Sequence, residues 1–222
     1  MRAAAGAFDL VLFDFDGTVA SSLHGIAACM GEALARFGYP RPSLDAVRAT
    51  IGLTLDRGIR LLSGCPDGEV QALVDVYRDL HDDVAAPLIA LYEGAGEVLD
   101  AARAAGIGRV LVSNKGTRGL TQLVAQLDLG HRFDLVLAAD TVSRRKPDPG
   151  LFAAHVAPAF PGVAPGRVLV VGDTDIDLRF AGNIGARACW ARYGYGDAAA
   201  CAALAPAYAI DAVDDLRRVL AV

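Results

Sequence analysis

Apolar and polar positions along this chain follow two alternating rhythms. Leu10-Val11-Leu12-Phe13 is an unbroken apolar run, and it predicts a strand over 10–14. Similar runs over 109–113, 135–139, 168–172, 186–191 and, more weakly, 207–210 predict five more. Short apolar runs of this kind suit strands buried on both faces. Between them the period changes. Val98, Leu99 and Ala102 repeat at helical spacing and stop at Gly106; Leu120, Leu123, Val124 and Leu127 do the same before Gly130. Strands separated by single helices predict an α/β fold, a Rossmann-like doubly wound parallel sheet with helices on both faces. Such sheets gather ligands beyond the carboxyl ends of their strands, at a topological switch point.

One crossover breaks this rhythm. Between the first strand and the helix expected over 93–105, the chain keeps helical periodicity with little strand signal. Ser22 sits where an N-cap belongs, ahead of an apolar face of Leu23, Ile26, Ala27, Met30, Leu34 and Phe37. Val70, Leu73, Val74, Tyr77 and Leu80 form a second stripe. The expected organisation is a core of residues 1–20 and 89–222, with residues 21–88 inserted as a helical cap domain that acts as a lid.

Composition narrows the class of partner. The chain has 222 residues, 54% of them apolar, and a net charge of -5. With a pI near 5.3 it is a poor match for nucleic acid or an anionic membrane surface. Cys29, Cys65, Cys189 and Cys201 form no C-x-x-C pair and no zinc-like spacing with histidine, so they are expected as reduced thiols in a cytoplasmic protein. Asp9 and Asp14 interrupt any leader-like apolar region near the N-terminus, and no stretch reaches the length of a spanning helix. The pattern sets no oligomeric state.

The chemistry-bearing residues fall just after the strands. Asp14-Phe15-Asp16-Gly17-Thr18 follows the first, Ser113-Asn114-Lys115 the second, and Gly172-Asp173-Thr174-Asp175-Ile176-Asp177 the fourth. Lys146-Pro147 lies shortly before that fourth strand. An aspartate at a strand end often caps a turn. Two of them closing an apolar strand would cost several kcal/mol unless a positive charge offsets them, so the pattern points to a bound cation. Parallel strands bring all these ends to one edge of the sheet. The histidines His24, His81, His131 and His155 share no metal spacing and are expected to take no part in catalysis.

These four motifs, in this order, resemble the haloacid dehalogenase-like hydrolases, and within them the phosphoglycolate phosphatase-like members with a helical cap. The likeness extends to Ala181-Gly182-Asn183-Ile184-Gly185-Ala186 and Tyr193-Gly194-Tyr195-Gly196. It implies Asp14 as nucleophile, forming an aspartyl-phosphate, and Asp16 as general acid and base. It implies Mg2+ held by Asp14, by the backbone carbonyl of Asp16 and by Asp173. Thr18, Ser113, Asn114 and Lys146 are the implied phosphate ligands, with Asp177 orienting Lys146 or a metal water. Asp175 is expected to point away. Ile51-Gly52-Leu53-Thr54 is similar to a substrate-facing cap loop, while Lys115, Arg144 and Arg145 receive no role.

The departures from the family are informative. Ala20-Ser21-Ser22 lacks the acidic residue common before the serine in relatives. The second acid, Asp16, is present, whereas true dehalogenases lack it. Thr18 and Ile26 stand where mutases tend to carry valine and a cap histidine, and residues 21–88 contain no lysine for phosphonatase chemistry. The resemblance therefore implies a Mg2+-dependent phosphatase acting on a small phosphorylated metabolite such as 2-phosphoglycolate. The alternatives are a pyrophosphatase or phosphomutase of the same fold, or a non-catalytic phosphate-binding or phospho-accepting module. Retention of Asp16 favours turnover, and the helical insertion after the first strand separates the chain from a receiver domain.

Overall fold

The computed structural model describes residues 7–222. The alanine-rich start, read above for a leader, lies almost wholly outside the described residues. In chain order the strands are β1 (Leu10–Phe13), β2 (Ala20–Ser21), β3 (Ala90–Leu91), β4 (Gly108–Val112), β5 (Leu135–Leu137), β6 (Val168–Gly172), β7 (Arg187–Ala191) and β8 (Tyr208–Ile210). The α-helices are α1 (Leu23–Arg36), α2 (Leu44–Arg48), α3 (Leu55–Ser63), α4 (Asp67–Leu80), α5 (Ala95–Ala104), α6 (Thr117–Gln126), α7 (Asp175–Asn183), α8 (Ala198–Ala203) and α9 (Leu216–Leu220).

Six strands form one sheet in the order β5-β4-β1-β6-β7-β8, and every pairing is parallel. This is the expected α/β architecture. The apolar runs explain which strands are central: every residue of β1 and β6 is buried, whereas the outer strands β5 and β8 each expose their middle residue. Alternation then divides the core between two faces. Val11, Phe13, Leu111, Leu169 and Val171 pack with Val98 and Leu99 of α5, Leu123 of α6 and Leu216 of α9. Leu10, Leu12, Val110, Val112, Val168 and Val170 pack with Phe180 of α7, Leu151 and Val156. Each fully buried aliphatic side chain contributes roughly 1.5–3 kcal/mol through removal from water.

β1 lies between β4 and β6, so the chain leaves it toward one side and later returns on the other. The carboxyl end of β1 is therefore the switch point. The strand stops at Phe13, one residue earlier than expected, and Asp14 begins the loop, its N–H donating to Val171 O at 2.9 Å. Phe15 O then accepts from the N–H groups of Thr18, Val19 and Ala20, folding the chain back sharply. Gly17 makes this turn at φ +85°, and a Cβ there would collide with the Asp173 carboxylate.

β2 and β3 pair antiparallel, Ala20 with Leu91 and Ser21 with Ala90, and α1–α4 lie between them. Met30 and Leu34 of α1 pack with Leu73, Val74 and Tyr77 of α4, as the two stripes predict. Phe37 differs: it falls beyond the end of α1 and stays 37% exposed. Ser22 differs too. It precedes α1, but its hydroxyl makes no cap, and the Tyr195 phenol oxygen accepts the Ser22 and Leu23 N–H groups at 2.7 and 3.1 Å. The cap comes from the far end of the chain. Among the described residues no helix is long and apolar enough to cross a membrane.

Leu111 is fully buried in β4 against β1. Replacing it with alanine should lower unfolding free energy by about 2–5 kcal/mol, read from urea denaturation; a loss below about 1 kcal/mol would place the residue outside a tightly packed core.

Candidate active site

The strand ends bring three carboxylates and one ammonium together. Asp14 follows β1, Asp173 follows β6, and Asp177 lies in the first turn of α7. One carboxylate oxygen from each lies within 4.8 Å of the others, and all three residues are buried. Lys146 reaches in from the loop before β6, its Nζ 2.6 Å from Asp14 Oδ1 and 2.6 Å from Asp177 Oδ1. The other Asp177 oxygen accepts from the Thr174 N–H at 3.2 Å and hydroxyl at 2.7 Å. Asp177 is thus fixed by its own helix start and holds the lysine. Asp175 turns outward to pair with Arg179 at 3.0 Å.

Asp173 is held from two sides. Thr18 Oγ1 donates to its Oδ1 at 3.2 Å, and the Tyr195 N–H donates to its Oδ2 at 2.7 Å. The structure places Thr18 differently from the expectation of a phosphate ligand. The backward fold around Phe15 O turns its hydroxyl onto Asp173, buried beneath the site. The Asn114 side-chain amide is likewise engaged, donating to Gly52 O at 2.8 Å and to Lys146 O at 3.4 Å. Ser113 Oγ accepts from the Lys115 N–H at 3.1 Å, which leaves its own O–H to donate.

Burial and charge set the electrostatics. Burial pushes the Asp14 carboxyl from 3.8 up to about 7 against the pull of Lys146, with Asp177 and Asp16 adding repulsion. Asp173 is raised as well, through burial first and then Asp14 and Asp177. For Lys146, burial works against the ammonium, but Asp14 and Asp177 outweigh it and carry its pKa above the ordinary lysine range. One ammonium does not offset three carboxylates. Like charges about 4 Å apart repel by roughly 4 kcal/mol at an effective dielectric near 20. The donors are all hard oxygens in a buried cluster, which fits a small divalent cation of the magnesium or calcium type. Among the described residues this is the one such metal-competent group.

Above this floor lies a cavity of about 430 Å³, walled by Asp14, Asp16, Ser113 and Lys146 from the core and by Ile26, Met30, Val74 and Tyr77 from the insertion. The Ile51–Thr54 segment contributes to the wall, and the Asn114–Gly52 hydrogen bond ties it to the core. Gly52 sits at φ +94°, and a Cβ there would come within 3.3 Å of Thr174. The insertion is therefore seated over the strand ends.

Three contributors carried no assigned role in the sequence. Lys115 Nζ lies 3.3 Å from Asp16 Oδ1, so both lysines of the chain serve this site. That scarcity was the available signal. His81 is buried in the cavity wall, its Nδ1 3.2 Å from Gln122 Oε1, and burial lowers its pKa. Tyr195 holds Asp173 and caps α1. Of the two arginines left open, Arg145 lines the cavity and donates to Ala139 O at 2.7 Å, while Arg144 is exposed and paired with Asp148.

Comparison with known proteins agrees with this arrangement. The family model of the haloacid dehalogenase-like hydrolases matches residues 11–191. Phosphoglycolate phosphatase 1 of Pseudomonas aeruginosa is 31% identical over 220 residues, covering 93% of this chain and 78% of that protein. The phosphoglycolate phosphatase of Pseudomonas putida is 32% identical, covering 95% and 78%. Among solved structures, a "predicted phosphoglycolate phosphatase" from Haemophilus somnus 129pt superposes with a TM-score of 0.88 at 25% identity, covering 96% of this chain and 97% of that one. Sheet order, motif positions and these matches agree: the chain belongs to the haloacid dehalogenase-like hydrolases, as a phosphoglycolate phosphatase-like member of the phosphomonoester hydrolase class.

Proposed function

We propose that this enzyme hydrolyses 2-phosphoglycolate, or a small phosphomonoester of the same kind, with Mg2+ and through an aspartyl-phosphate at Asp14. The observation that carries the reading is the Asp14 carboxylate, buried at the floor of the cavity and bonded to Lys146 at 2.6 Å. Asp14 attacks phosphorus in line; an oxygen–phosphorus bond forms as the ester oxygen departs with a proton from Asp16. Asp16 then takes a proton from water as that water attacks the phosphoryl group, and Asp14 is regenerated. Lys146 and the free Ser113 O–H donate to the phosphoryl oxygens. Asp14, Asp173 and the backbone carbonyl of Asp16 would hold Mg2+, with Asp177 keeping Lys146 in place. Bound there, Mg2+ supplies positive charge where negative charge develops on the transferring group.

Residues 21–88 act in this reading as the cap domain. Seating Gly52 against Asn114 covers the cavity and excludes bulk water during transfer. Thr18 and Asn114 support Asp173 and the cap loop through their side chains. The names of the Pseudomonas relatives supply the substrate class, and the cations Lys115 and Arg145 at the cavity suit a leaving group that is itself negatively charged.

Asp14→Asn should lower turnover of 2-phosphoglycolate by more than about a thousandfold while the thermal midpoint moves only a few degrees; retained turnover would remove Asp14 as nucleophile. A panel of phosphorylated metabolites should give the highest kcat/KM for 2-phosphoglycolate, and a hexose phosphate in first place would contradict the substrate class. Metal and pH are linked. The folded protein holds a proton on Asp14 between pH 3.8 and about 7 that the unfolded chain releases, so stability falls as pH rises through that window. Mg2+ competes with that proton. Its addition should raise the thermal midpoint more near about pH 8 than near about pH 5, and EDTA should stop turnover. An equal midpoint shift at both pH values, or a rate indifferent to EDTA, would count against the metal assignment.

A further inference from the structure

The Tyr193-Gly194-Tyr195-Gly196 segment lies between the metal-competent carboxylates and both linkers of the helical insertion. On the core side, the Tyr195 N–H donates to Asp173 Oδ2 at 2.7 Å. The flanking glycines permit this close approach. A Cβ on Gly194 would collide with the Asp173 side chain, and one on Gly196 would collide with the Asp173 carbonyl. The loop backbone therefore rests directly on the residue whose carboxylate it holds.

On the insertion side, the Tyr195 phenol oxygen accepts the N–H groups of Ser22 and Leu23, where the chain passes from β2 into α1. It does the work of an N-cap for a fourteen-residue helix whose own Ser22 makes no side-chain cap. The Ser22 hydroxyl is buried without a hydrogen-bond partner. Tyr92, just after β3 on the returning linker, places its hydroxyl 3.4 Å from that of Tyr195, and its ring packs edge-on against Tyr193 at 4.8 Å. The Arg48 guanidinium, from α2 of the insertion, lies 5.8 Å from the centre of the Tyr195 ring, within cation–π range. One side chain thus touches the incoming linker, the outgoing linker and the body of the insertion.

We propose that Tyr195 is a positioning residue that couples seating of the helical insertion to the Asp173 carboxylate. Lifting the insertion draws Ser22, Leu23 and Arg48 away from the phenol. Without those contacts the ring loses its anchor, and the Tyr195 N–H holds Asp173 Oδ2 less firmly. Coupling of this kind is reciprocal: a cation that fixes Asp173 also steadies the hinge. The inference rests on the magnesium reading above and adds to it a path from the metal to the cap.

Hydrogen exchange at the hinge peptide 19–24, with and without Mg2+, tests the coupling; Mg2+ binding is measured in parallel by calorimetry. In the wild-type protein, Mg2+ should slow exchange at Ser22 and Leu23 by roughly tenfold. In Tyr195→Phe those amides should exchange fast and indifferently to Mg2+, although the metal still binds. KM for the phosphoester should rise several-fold, with kcat within about twofold, because closure is less populated. Arg48→Ala alters an exposed side chain, and it should weaken the same Mg2+ response. Full Mg2+ protection of the hinge in Tyr195→Phe, or an Arg48→Ala protein matching the wild type, would overturn the proposal. Wild-type protein that binds Mg2+ with no hinge response would overturn it alone, whereas absence of Mg2+ binding would overturn the metal reading and this inference together.

Discussion

The Lys146 ammonium, 2.6 Å from both Asp14 and Asp177, is the interaction around which the site is organised. Three carboxylates lie close together in a buried space, and they repel one another at a distance where each pair matters. A lysine suits the gap because its charge is compact and can sit between two oxygens from different elements, the loop after β1 and the first turn of α7. The planar fork of an arginine would demand a wider, bidentate partner. Arginine supplies the other fixed positive charges of the chain, and the second lysine, Lys115, lies against Asp16 in the same cavity.

The fold is what makes that crowding tolerable. β1 and β6 are buried along their whole length and run parallel in register, so Asp14 and Asp173 emerge side by side. α7 begins immediately after Asp173, and its first turn returns Asp177 to the same spot. The negative charges sit at the strand ends by topology, and the burial that stabilises the sheet also raises the Asp14 and Asp173 carboxyls. Stability and chemistry are set here by the same packing.

Much of this was legible in the sequence, because apolar runs and strand-end motifs are local signals. The runs at 10–13 and 168–172 predicted two strands, which the sheet places side by side at its centre, and the motifs put Asp14, Asp16, Lys146 and Asp173 near strand ends, where the structure gathers them. What stayed hidden depends on direction or on distant partners. Thr18 sits in the first motif, yet the turn around Gly17 aims its hydroxyl at Asp173. Ser22 has the right residue type for an N-cap, but the acceptor that α1 uses is Tyr195, a partner no local pattern reveals. The Asn114 side chain reaches Gly52 across the chain because the insertion is seated on the core, a tertiary fact with no spacing to announce it.

Hydrolysis through Asp14 and direct attack by water differ in which oxygen makes the first bond to phosphorus. The most direct measurement is an acid quench during the first turnover of a phosphoester labelled in its phosphoryl group, followed by peptide mapping of the protein. Attack by Asp14 leaves label on a peptide containing Asp14, released by hydroxylamine as an acyl phosphate is. Full turnover with no label retained on the chain, or label on a peptide lacking Asp14, would contradict it.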